Sequence, residues 1–240
     1  MKMVPRIMAG LLLCCSLVSL PATASTILGT VDLTYKGYNS GGFPAGYRNG
    51  TITDHGTSEG ASAGLFGFDV SNASSGSPIV WDDTLQAFCV QTNALLDTSN
   101  TRTYSLVSAL DHFGNASLVD QIGRLYTGYH NDVTSADTSA AFQLALWELV
   151  DEDQQTNGLD LTGGQFTATS FNTARATANG WLSSLSSITN GFNLFVLEND
   201  GSQDLLVFKP APTVRVPEPG TLALMCLGLL VLGLRMRKRH

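Results

Sequence analysis

Cys89 and Gln143 are a thiol and a carboxamide, types that can make a covalent bond with each other without a cofactor. A thiol that attacks the carboxamide carbon of a glutamine expels ammonia and leaves an internal thioester. That bond is a stored acyl group, ready for an amine or hydroxyl that reaches it. The same two residues have a plainer reading. A lone Cys can serve as a small buried hydrophobe, and a buried Gln can pair with strand backbone around a core Trp147.

Both readings depend on the elements that carry the pair. Leu85 to Gln91 alternates as a strand does, with Ile79-Val80-Trp81 as a strand candidate before it and Asp82-Asp83 as the turn between them. Gln143 sits in a helix predicted from about Ser135 to Asp151, with Thr134 placed as its N-cap three residues before Asp137. On that helix Ala136, Ala140, Gln143, Trp147 and Val150 share one stripe, so the amide lies mid-way along an apolar face. Left unpaired there it would cost roughly 1–3 kcal/mol, so a specific partner is required, and Cys89 is one candidate.

The remaining segments read as mixed strand and helix. Ser25 to Ser77 is rich in Gly, Ser and Thr, with strand-like patches at Thr30–Tyr35 and Leu65–Val70 joined by long turns. Leu118 to Tyr126 and Ser170 to Leu185 have helical periodicity, and Gly191 to Lys209 reads as a closing hairpin around Asn199-Asp200-Gly201-Ser202. No fixed-period repeat is present, which disfavours a solenoid or propeller. The expected class is α+β: antiparallel strands with a small helical subdomain.

The two ends read as sorting segments that flank this body. Lys2 and Arg6 precede an apolar run from Ile7 to Leu20, and Pro21-Ala22-Thr23-Ala24 precedes Ser25. Small residues at Ala22 and Ala24 fit a signal peptidase, so residues 1–24 are expected to be a signal peptide cleaved between Ala24 and Ser25. At the other end Pro217-Glu218-Pro219-Gly220 precedes an apolar run over 221–234 and a basic tail over 235–240. That run is shorter than the ~20 residues that span a bilayer comfortably, which marks a marginal or temporary anchor.

Those three ordered elements resemble the PEP-CTERM sorting signal of Gram-negative bacteria. The resemblance implies that an exosortase recognises residues 214–240 and cuts near the motif. The chain would be held transiently in the inner membrane by its C-terminal helix, and the body released to the cell surface or extracellular matrix.

Removing both ends changes the composition. The chain has 13 Lys and Arg, 20 Asp and Glu and a net charge of −7. Lys2 and Arg6 lie in the leader, and Glu218, Arg235, Arg237, Lys238 and Arg239 lie in the tail. The body from Ser25 to Arg215 therefore carries a net charge of −12. A body so acidic is a poor partner for nucleic acid, which requires clustered Lys and Arg. Cys14, Cys15 and Cys226 also lie in the end segments, so Cys89 is the one cysteine expected in the exported body, 25–213, and no intramolecular disulfide is available to it.

Phe88-Cys89-Val90 on a strand, with Gln143-Leu144-Ala145-Leu146-Trp147 on a later helix, resembles the thioester domains of bacterial surface adhesins. The resemblance covers about 79–186. It implies that Cys89 is the thiol and Gln143 the acyl donor, that Ala145 and Trp147 pack around the bond, and that surface amines or hydroxyls are captured. The chain departs from the family's pattern at Phe142, where the family prefers Thr.

Other chemistry is thin. His55, His112 and His130 have no ligand spacing, Asn199 to Asp204 lacks the closing Glu of a calcium loop, and Gly41-Gly42 and Gly163-Gly164 are isolated turns. No Gly-x-Ser-x-Gly elbow accompanies a His and an acid. No metal, cofactor or enzymatic turnover is expected. The functional expectation is an exported surface or matrix protein, either a covalent adhesin through Cys89 and Gln143 or a non-catalytic structural or binding component of an exopolysaccharide matrix.

Overall fold

The computed structural model describes residues 25–38, 46–152 and 158–211. The expected signal peptide through Ala24, the expected turn at Gly41-Gly42 and the sorting tail, with Pro217, Glu218 and Pro219, lie outside the described residues. Among the described residues no helix is long and apolar enough to cross a membrane.

Antiparallel pairing builds two sheets. Strands β1 (Gly29–Gly37), β4 (Phe66–Ser71), β5 (Thr84–Cys89), β6 (Arg102–Ser108), β8 (Phe192–Glu198) and β9 (Leu205–Pro210) close a barrel in the order β1-β4-β5-β9-β8-β6. Strands β2 (Tyr47–Asp54), β3 (Thr57–Gly64) and β7 (Phe166–Thr169) form a separate sheet in the order β3-β2-β7. Alternation of buried residues makes the barrel strands half-buried ribbons, as with Val31 and Leu33 on β1 and Tyr104 and Leu106 on β6. The β2–β3 hairpin turns through His55 and Gly56, with φ of 47° and 82°. Two successive positive φ values are what a two-residue hairpin that follows strand twist requires.

The helices are α1 (Ala109–Phe113), α2 (Ala116–Tyr129), α3 (Ala136–Asp151) and α4 (Ala174–Ser184). Helix α3 packs on α4, on α2 and on the small sheet, and every residue from Ser139 to Leu149 is buried. It is the structural centre of the body, which explains why its sequence is apolar nearly all round.

The structure corrects three sequence expectations. Ile79-Val80-Trp81 is not a strand: it runs through an irregular connection after Pro78, with Val80 91% exposed and no ladder partner. β5 pairs instead with β4 and β9. The cap of α3 is Ser135, not Thr134. Its extended backbone lets Oγ accept from Thr138 N at 3.2 Å while Thr138 Oγ1 accepts from Ser135 N at 3.1 Å, a reciprocal capping box. The helix expected from Ser170 begins at Ala174, because Ser170 and Asn172 hold φ of 65° and 53° and stop β7 from running into it. β2, β3, β6 and β7 are elements that the sequence reading did not resolve individually.

Candidate functional site

The site arises where the chain leaves one sheet for the other. β4 pairs β5 from Phe66 opposite Ala87 onward, but residues before Leu65 belong to β3 in the other sheet. Cys89 therefore lies beyond the reach of β4. On its other side it is opposite Leu205 of β9, and Val90 N donates to Asp204 O at 2.9 Å. Without a further partner the remaining peptide groups of Cys89 and the N–H of Leu65 would be buried and unpaired, at a cost of roughly 1–3 kcal/mol each.

Helix α3 supplies those partners from two polar side chains one turn apart. Ser139 Oγ accepts from Leu65 N at 2.7 Å. Gln143 Oε1 accepts from Cys89 N at 3.0 Å, and Gln143 Nε2 donates to Cys89 O at 2.7 Å. The carboxamide takes the place of a neighbouring strand. Both residues have no solvent exposure, although 54 positions separate them in sequence. The structure thus brings together the predicted pair, and the bonds it shows run to the peptide groups of Cys89.

This arrangement has chemical consequences. The Cys89 N–H polarises the Gln143 carbonyl at the oxygen where charge would develop during attack on the carboxamide carbon. Against this, burial pushes the Cys89 thiol well above its ordinary value, and the carboxylate of Asp204 adds to that rise. The thiol is therefore held neutral. Attack must pass its proton to the departing nitrogen.

The residues around the pair are packed into the core. Ala145 is fully buried, and Trp147 is 3% exposed, its ring 6.4 Å from that of Phe166. Trp147 Nε1 finds no acceptor among the described residues. Phe142, where the resemblance expects Thr, stacks on Phe88 at 4.3 Å and 21°. A hydroxyl there would forfeit that contact, so this chain fills the position by packing rather than by hydrogen bonding. Trp147 also lines a cavity of about 260 Å³ with Tyr35, Tyr38, Phe66, Thr92 and Glu59. Ser25, the expected first residue of the body, is exposed.

Sequence reasoning missed two features of α3. Ser139 works beside Gln143, and its signal was present: a second polar residue one turn earlier on an apolar helix. Glu148 is fully buried, with Oε1 accepting from Asp160 N at 2.6 Å and Oε2 without a donor among the described residues. Glu152 Oε2 accepts from Gln165 N and Phe166 N at 2.6 and 2.9 Å. These two glutamates, again one turn apart, tie the loop before β7 to the end of α3. Among the described residues no group of three His, Cys, Asp or Glu side chains could hold a metal ion.

Comparison with known proteins bears on the tail. The family model of the PEP-CTERM protein-sorting motif matches residues 215–238, which include Pro217, Glu218 and Pro219 and most of the basic cluster. The chain thus carries a PEP-CTERM sorting motif, which indicates export through an exosortase toward the cell surface. No characterised protein and no solved structure matches the chain.

Proposed function

We propose that the exported body is a covalent surface adhesin that stores an internal thioester between Cys89 and Gln143. The observation that carries this reading is the contact between the Cys89 peptide group and the Gln143 carboxamide, in which the cysteine's own N–H holds and polarises the carbonyl its thiol would attack. The reaction balances without a co-reactant. The Cys89 Sγ–Cδ bond forms, the Cδ–Nε2 bond breaks, and the thiol proton leaves with the nitrogen as ammonia. An arriving amine or hydroxyl then takes the acyl group and returns the thiol. Each molecule reacts once, so the protein is not an enzyme with turnover.

In this reading a signal peptidase cuts after Ala24, and residues 221–234 hold the chain transiently in the inner membrane of a Gram-negative cell until exosortase releases it. The captured groups are amines or hydroxyls on a surface or matrix polymer. Peptide mapping tests the bond. Protease digestion of the exported protein would yield a species joining the Cys89 and Gln143 peptides, and methylamine treatment before digestion would separate them. Separate, unmodified peptides from fresh, untreated protein would remove the thioester from the account.

A second reading has its own support. The bonds of Gln143 run to backbone, as a core amide completing a sheet requires. A cavity of about 600 Å³ lined by Trp81, Tyr126, His130 and Phe208 lies beside β5 and β9. A non-catalytic binding or structural component of an exopolysaccharide matrix would use that cavity and leave Cys89 inert.

A further inference from the structure

We propose that the cavity beside Trp147 is a binding site for a quaternary ammonium ion on a short chain, a weakly hydrated cation walled in by aromatic rings. The proposal does not depend on the thioester, because a quaternary nitrogen has no lone pair with which to attack one. The cavity lies where β3 and α3 meet the end of β1 and the segment that follows β5. Its volume is about 260 Å³, which is room for roughly nine waters at about 30 Å³ each. One small ligand of a similar number of non-hydrogen atoms therefore fills it.

The walls are aromatic and already fixed in place. Tyr35, Tyr38, Phe66 and Trp147 all line the cavity. The Phe66 ring lies 6.1 Å from that of Tyr35 and 4.6 Å from that of Tyr38, and Tyr38 stacks on Tyr47 at 4.1 Å. The Tyr38 hydroxyl is also bonded to the side chain of Ser62, whose Oγ donates to Asn49 Oδ1 at 2.7 Å. Ring faces attract cations, and most effectively those that give up water at little cost. A primary ammonium would exchange its water for rings that are poor hydrogen-bond acceptors, whereas a methylated one has no N–H bonds to lose.

Charge selects the sign of the ligand. Glu59 is the one charged residue that lines the cavity. It pairs across the sheet with Ile52, which is 1% exposed and lines the same cavity, so the Glu59 side chain lies on the face of the sheet that carries Ile52. Glu59 is exposed and makes no ion pair among the described residues. It stands at the mouth as an unmatched anion, on a body of net charge −12 that draws cations and repels anions. Further in, Trp147 is 3% exposed and its Nε1–H has no acceptor among the described residues. An oxygen on the ligand's chain would give that donor a partner, which a purely apolar occupant leaves without one.

Isothermal titration calorimetry of the exported protein with choline tests the site. Choline is expected to bind saturably. Its neutral carbon isostere, in which a tert-butyl group replaces the trimethylammonium and the hydroxyl is kept, is expected to bind about tenfold more weakly or worse. Glu59→Gln is expected to weaken choline binding about fivefold while leaving the fold intact, because that side chain is exposed. The absence of saturable choline binding would overturn the proposal and leave the cavity to water. Equal affinity for the neutral isostere would also overturn it, since the walls would then select for shape alone. So would choline binding that Glu59→Gln leaves unchanged, because the cation would then sit elsewhere.

Discussion

The carboxamide of Gln143 grips Cys89 by both of its free peptide groups, donating to the carbonyl at 2.7 Å and accepting from the N–H at 3.0 Å. One helix side chain thereby replaces a strand at the point where β4 has turned away into the second sheet. Sheet completion and any chemistry at Cys89 depend on the same two hydrogen bonds.

Gln143→Ala leaves both Cys89 peptide groups unpaired in the core and opens a small cavity. The expected loss is about 3 kcal/mol, read as a lower denaturation midpoint with an unchanged m-value. Ser139→Ala removes one acceptor, for the Leu65 N–H, and is expected to cost about 1–2 kcal/mol.

Phe142→Thr tests what the stacking of Phe142 on Phe88 contributes. The substitution removes the ring stacked on Phe88 and places a hydroxyl in a fully buried site. The expected destabilisation is about 3 kcal/mol, measured by chemical denaturation.

Stability is expected to peak on the acid side of neutrality. Burial raises Glu148 to about 8 and Asp151 to about 7. The folded state therefore keeps protons that the unfolded chain has already released, and stability falls as pH rises from about 4 toward 8. Asp97, Asp137 and Asp160 are lowered, by hydrogen bonds from Asn100, Arg48 and Thr162 respectively. Their contribution is present above the ordinary carboxylate range and is lost as pH falls through it. Thermal unfolding at stepped pH checks both limbs, and Glu148→Gln is expected to flatten the upper one.

Replacing Pro217 and Pro219 by Ala is expected to leave unprocessed chain in the cell envelope, since the matched sorting motif spans these residues. Cys89→Ala is expected to leave export unchanged. Fractionation with an antibody to the body distinguishes the two outcomes.

How far the sequence could be read follows from the kind of signal each element carries. α3 and its buried Gln143 were legible because an amide on an apolar helix face has to be paired, and the hairpin of β8 and β9 was legible from two apolar runs around Asn199 to Ser202. β2 and β3 were not resolved, because Gly50, Gly60 and Gly64 and the small polar residues around them give no alternation of apolar side chains. Ile79-Val80-Trp81 misled for the opposite reason: it is apolar, with two β-branched residues and an aromatic, yet Pro78 and the lack of a neighbouring strand leave it outside both sheets. Cys89 was one candidate partner for the buried amide of Gln143. That they meet through the backbone of Cys89 depends on where β4 ends, which local pattern does not encode.

The most direct test of the central claim is the intact mass of the exported protein, purified without alkylation. The account predicts a mass lower than that of the processed sequence by one ammonia, abolished by Cys89→Ala, with methylamine adding its own mass to the deficient form. A mass equal to that of the sequence, unchanged by methylamine and by the Cys89→Ala comparison, would contradict the thioester and leave Gln143 as the side chain that completes the sheet.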